Sequence, residues 1–168
     1  AFDKGARLLG LGYPGGRALQ ELARGGNAKR YALPRALPGD GAKFSFSGLK
    51  TAMRLLVDRE GENLDRADAA ASLQAAIVDA LLRKALRALD EEDLGALTLV
   101  GGVAANESLR ETLRAACARV GAEFFTPPLD RCTDNAAMIA IAGSFRLARG
   151  MADDLSLDVM PNADLPAY

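Results

Sequence analysis

Apolar positions recur at helical spacing over much of the chain. Leu73, Ile77, Leu81 and Ala85 fall on one stripe, which predicts a long helix over 66–90. Asp65 or Asp68 is placed to cap its start, and the acidic stretch DEEDLG closes it. Leu109, Leu113, Cys117 and Val120 predict a helix over 107–120, with Gly121 as the left-handed residue past its end. Met138, Ile141, Ala142 and Phe145 predict a third over 134–149, that stripe facing inward and Gly150 ending it. Residues 1–25 read as a short helix, the glycine-rich turn GLGYPGG and a second helix over Arg17–Ala23. In 43–60, Phe44 and Phe46 alternate, then Leu49, Met53, Leu56 and Val57 take helical spacing. That change predicts a strand end entering a helix near Ser47.

Two short apolar runs lie between the later helices. ALTLV (96–100) reads as a buried strand and EFFTP (123–127) as a second. The order strand, helix, strand, helix predicts an α/β arrangement with a parallel sheet and right-handed crossovers. Residues 26–42, rich in Gly, Pro and charge, read as a loop, and the tail DVMPNADLPAY as extended.

The 168 residues fit one domain or a lobe of a larger one, and 49% hydrophobic content is enough for a core. No run of 18 apolar residues predicts a membrane-spanning helix, and no basic-then-apolar leader is present. A first residue of alanine suggests a processed chain or one beginning inside a longer protein. Two cysteines, Cys117 and Cys132, make no disulfide framework, so a reduced, cytoplasmic chain is expected. Histidine is absent, which removes the commonest proton shuttle and metal ligand. The net charge of −1 hides an asymmetry: residues 1–59 hold 11 Lys/Arg and 4 Asp/Glu. That basic front either faces phosphates or is uneven surface composition.

Ligands in parallel α/β sheets sit at the carboxyl ends of strands. After TLV come Gly101 and Gly102, whose bare backbone admits a ligand and whose amides can face an anion. Asn106 opens the next helix, either as a cap or turned outward to a ligand hydroxyl. Asp134 and Asn135 begin the helix after EFFTP. Asp134 is an N-cap or a metal or phosphate-side carboxylate, although alone it cannot complete a metal site. Cys132, a single thiol with no basic partner, is weak evidence for a nucleophile. Asp3 and the glycines Gly15 and Gly16 complete the candidates, with a simple turn after Pro14 as the alternative.

The stretches AFDK…LLGLGYPGG, KFSFSGLKTA, GGVAANESLR and FFTPPLDRCTDNAAMIA, in that order, resemble the carboxyl-terminal half of the TsaD family. These are tRNA adenosine threonylcarbamoyltransferases, formerly called Gcp or O-sialoglycoprotein endopeptidases. The resemblance implies an actin/Hsp70-like fold of ribonuclease-H-like lobes, here in part and with a helical insertion. It implies transfer of threonylcarbamoyl from threonylcarbamoyl-adenylate to the adenosine 3′ of the tRNA anticodon. It places the adenylate against Asp3 of AFD, Gly16 of YPGG and Asn106 of GGVAAN, close to Gly101 and Gly102. Asp134 of CTDN becomes a ligand of one divalent metal, iron or zinc, whose site this chain leaves incomplete. TsaB and TsaE are the implied partners in a bacterial complex, and no membrane is expected. No catalytic base is assigned. On this reading residues 1–65 are a helical and loop segment, 66–150 the nucleotide-side α/β core and 151–168 an extended tail.

Family members carry a His-x-x-x-His pair in their amino-terminal half and a Gly-Glu before AFD. This chain has neither, so it is expected to be inactive alone. The alternative is a non-catalytic lobe binding a nucleotide or a partner. A zinc protease lacks its His-Glu-x-x-His, and a sugar or acetate kinase lacks counterparts of CTDN and SFSGLKT.

Overall fold

The computed structural model describes residues 1–35 and 43–158. The helices α1 (Phe2–Leu8) and α2 (Gly15–Ala23) flank the glycine turn, in which the Tyr13–Pro14 bond is cis. Then follow α3 (Ser47–Glu60), α4 (Arg66–Glu91), strand β1 (Ala96–Thr98), a 3-10 turn (Gly102–Ala105), α5 (Glu107–Val120), strand β2 (Glu123–Phe125) and α6 (Ala136–Ala148). The chain divides into two compact units, residues 1–133 and 134–168. Residues 36–42 of the expected loop and 159–168 of the expected tail lie outside the described residues.

In the first unit the caps explain the helix boundaries. Asp65 accepts from the Asp68 amide at 3.0 Å and starts α4. Asp68, the other cap candidate, instead accepts from the Asn27 amide at 2.7 Å and moors the 26–35 segment to α4. The approach is close enough to need glycine: a Cβ on Gly26 would lie 2.0 Å from the Ala67 carbonyl oxygen. Gly121, left-handed at φ 73, ends α5.

Two hydrophobic clusters share α4. Leu19, Met53, Leu73 and Ile77 anchor the first, among α1 to α4. Each contributes about 1.5–3 kcal/mol by leaving water. Val78, Leu109 and Leu113 form the second, with Leu97, Leu99 and Phe124 packed against it. β1 and β2 pair in parallel, Leu97 opposite Phe124, as the strand–helix–strand order requires. The result is a helix-rich α/β unit with a small parallel sheet.

Four local expectations differ from the structure. Residues 43–46 form no strand; with no neighbouring strand to pair with, the Phe44 and Phe46 rings stack 6.5 Å apart. β1 is not buried: Ala96 and Thr98 are exposed, because the helices of this unit cover only the Leu97 face. Val120 is exposed, since the last turn of α5 extends past the second cluster. Met138, Ile141, Ala142 and Phe145 are exposed rather than inward. The second unit holds no other helix or strand among its described residues to bury them.

Candidate functional site

The turn between α1 and α2 is built around one carboxylate. Asp3 Oδ1 accepts from the backbone N–H of Gly15 at 2.9 Å, placing negative charge at the start of α2. Gly15 is buried, and a Cβ there would lie 2.3 Å from Ala6 Cβ. It is therefore a packing glycine. Nothing lies within 4 Å of the Cβ position on Gly16. The same first helical turn thus offers a backbone face that a ligand can approach.

The second candidate stretch follows β1. Gly101 sits at φ 87, a conformation side chains rarely adopt, and both Gly101 and Gly102 have open space at their Cβ positions. The turn ends at Asn106, which is buried. Its Oδ1 accepts from the Leu109 amide at 2.9 Å, and its Nδ2 donates to Gln74 Oε1 at 2.8 Å. Of the two roles open to Asn106, the structure places it as the cap, braced against α4.

α2 brings these stretches together. Gln20 accepts from the Glu107 amide at 2.9 Å, and Arg24 pairs with the Glu107 carboxylate at 2.7 Å. Asp3 and Gly16 stand at the start of α2, and the residue after Asn106 is bound beside Gln20, about 6 Å further along the helix axis. α2 thus links the turn bearing Asp3 and Gly16 to the end of the Gly101–Asn106 turn. Asp134 opens the second unit and is exposed. It is not the cap of α6: Asn135 accepts from the Met138 amide at 3.1 Å.

Two features escaped sequence reasoning. Arg110 donates from Nε to the Ala104 carbonyl, and from Nη2 to the Pro127 carbonyl at 2.7 Å and to Cys132 Sγ at 2.9 Å. Cys132 thus has a basic neighbour, contrary to expectation. Arg110 closes the motif GGVAANESLR, but its partners are 17 and 22 residues away, so no local signal reveals the link. Thr126 Oγ1, just after β2, is buried and has no hydrogen-bond partner among the described residues. Such a group costs about 1–3 kcal/mol, and it lies at the strand end where ligands bind.

Chemistry elsewhere is sparse. A cavity of about 230 Å³ lies beside Gly95 and Ala122, at the opposite ends of the strands, with Asp90 and Asp93 in its wall. No group of three or more His, Cys, Asp or Glu is arranged for a metal among the described residues. Asp134 thus provides one anionic oxygen and no complete donor set. Burial pushes the Cys117 thiol up and keeps it protonated. Lys4, Arg7, Arg17, Lys50 and Arg54 are exposed, and none forms an ion pair among the described residues. Arg35, in contrast, pairs with Asp79 at 3.0 Å.

Residues 1–141 match the family TsaD, tRNA N6-adenosine threonylcarbamoyltransferase. A protein of that name from Methylibium petroleiphilum is 51% identical over 174 residues, covering 99% of this chain and 50% of the relative. One from Bordetella petrii is 52% identical over 158 residues, covering 90% and 45%. One from Brucella anthropi is 49% identical over 176 residues, covering 99% and 48%. The chain spans about half the length of the curated relatives it matches.

Proposed function

The chain belongs to the tRNA N6-adenosine threonylcarbamoyltransferase family, and on that premise we propose that it supplies the adenylate-binding side of such an enzyme. The reaction moves threonylcarbamoyl from threonylcarbamoyl-adenylate to the amino group of the adenosine 3′ of the tRNA anticodon. The amine nitrogen bonds to the carbamoyl carbon, the bond from that carbon to the phosphate oxygen breaks, and the adenylate leaves. The amine proton passes to a base that the described residues do not identify.

Each element has a part suited to its chemistry. The amides of Gly16 at the start of α2 and of Gly101 and Gly102 donate to phosphate oxygens. The Asp3 carboxylate accepts from ligand hydroxyls while ordering Gly15. Asn106 holds the turn by capping α5 and bracing against Gln74. The observation that carries the reading is the Glu107–Gln20 contact, which seats the Gly101–Asn106 turn on the helix that begins with Gly15 and Gly16.

The parallel β1–α5–β2 unit is in keeping with an actin/Hsp70-like fold. Lys4, Arg7, Arg17, Lys50 and Arg54, unpaired among the described residues, are suited to tRNA phosphates. Threonylcarbamoyl-adenylate, TsaB and TsaE are proposed as co-substrate and partners, in the cytoplasm. No helix among the described residues is long and apolar enough to cross a membrane. Asp134 is proposed as one ligand of a divalent ion, iron or zinc, with other donors from outside the described residues. Such an ion, when bound, would neutralise phosphate charge.

The test is transfer of labelled threonylcarbamoyl from the adenylate to unmodified tRNA. The full gene product, with TsaB and TsaE, should modify the tRNA, and residues 1–168 alone should not. Modification by residues 1–168 alone would show that the histidine pair is dispensable. No modification by the full gene product would remove the proposal.

A further inference from the structure

We infer that Arg110 is a positioning residue for the adenylate, fixing the Gly101–Ala105 turn against the loop that follows β2. The inference rests on the proposed function. That turn is anchored at its far end by buried Ala104 and by Asn106, but its first three residues have little to fix them. Gly101 and Gly102 contribute no side chains, and Val103 is 46% exposed. Within it, the Ala104 amide reaches the Gly101 carbonyl and the Asn106 amide the Val103 carbonyl, at 2.9 and 3.0 Å. Both are local bonds that would move with the turn as it shifts.

Arg110 provides an external reference. It lies one helical turn after Asn106, and its guanidinium donates at once to Ala104 in the turn and to Pro127 and Cys132 beyond β2. A planar fork with five donors can span two loops in this way; a lysine, with a point charge on a flexible stem, cannot. The group is half-buried, yet it pairs with no carboxylate among the described residues. A cation held partly out of water without a counter-ion is costly, and that cost is offset when an anion binds nearby. The arrangement fits a turn that must present its amides to a phosphate in one conformation.

Arg110→Lys and Arg110→Gln in the full gene product test this, with threonylcarbamoyl-adenylate and unmodified tRNA as substrates. Losing a charged hydrogen bond corresponds to about a tenfold change. Both variants should raise KM for the adenylate by about that factor, while kcat and KM for tRNA hold within about twofold. An active wild type with KM unchanged in both variants overturns the inference and leaves the family reading intact. Lysine restoring wild-type KM also overturns it, because charge alone would then suffice. Loss of fold in both variants overturns it too, since Arg110 would then support the unit rather than the turn. A wild type silent toward both substrates removes the family reading and this inference together.

Discussion

Asn106 and Gln74 face each other across the α4–α5 contact, Nδ2 donating to Oε1 at 2.8 Å, while the other end of the Asn106 amide caps α5. The residue therefore contributes to folding whatever it binds. Asn106→Ala should cost about 1–2 kcal/mol in denaturant unfolding. Gln74→Ala should cost less, and the double variant should show a coupling of about 0.5–1.5 kcal/mol. Strict additivity in that cycle would mean the two side chains do not interact in solution.

Adjacent glycines separate packing from binding. Gly15→Ala drives a methyl group against Ala6 and should destabilise by about 1–3 kcal/mol. Gly16→Ala meets nothing within 4 Å and should leave the melting temperature nearly unchanged. Adenylate titration of the full gene product should show Gly16→Ala binding more weakly. A melting temperature that falls equally for both would contradict the packing described.

Asp134 is relieved of the capping role by Asn135. Asp134→Asn should therefore leave the unfolding midpoint unchanged. If Asp134 is a metal ligand, the substitution should lower the metal content of the full gene product, because a neutral amide is a poorer donor to a hard cation. Elemental analysis showing full metal occupancy in the variant would rule out the ligand role.

Asp79 sits between Arg35 and Arg83. Burial pushes its carboxyl up, but the hydrogen bonds and charges of Arg83 and Arg35 outweigh this, and the result lies below the ordinary 3.8. A carboxyl lowered on folding adds stability above its unfolded value and loses it as pH falls through the folded value. Asp79→Asn should be destabilised near neutral pH, with the difference from wild type shrinking as pH falls through the folded value and gone below it. A gap that persists in acid would assign the effect to packing rather than charge.

Lys50 and Arg54, exposed and without carboxylate partners among the described residues, are the sharper test of the basic front. Replacing both with Gln in the full gene product should weaken tRNA binding. The salt slope should fall by about 2, one for each lost phosphate contact. Arg35→Gln removes a cation already paired and should change that slope little. Equal slopes in all three proteins would place the tRNA elsewhere.

The pattern of side chains reveals what is decided locally. Asp65 before Ala69–Ala71, and Asn106 before Leu109 and Leu113, mark helix starts because a cap and the first apolar stripe are neighbours in sequence. The parallel pairing follows from the alternation of elements. Burial is not legible where it depends on what lies opposite. Phe44 and Phe46 alternate like a strand but have no strand to pair with. Ile141 and Phe145 have helical spacing but nothing in their own unit to cover them. Gly16 and Asn106 are legible as candidates because a glycine turn and an Asn cap before a helix show in a few adjacent residues, although the same residues also serve as turn and cap. Arg110 is not, because its role lies in the distance between two loops.

α4 runs for 26 residues, about 39 Å, through both hydrophobic clusters. Leu73 and Ile77 belong to one and Val78 to the next, while Leu81 packs against both. A helix extends far more easily than it starts, so order in one cluster carries into the other along a single rod. The two clusters should melt together, and a cavity made at Leu113 should lower the midpoint reported by Tyr31 at the far end. In folding terms, this unit behaves as one cooperative body with α4 as its spine.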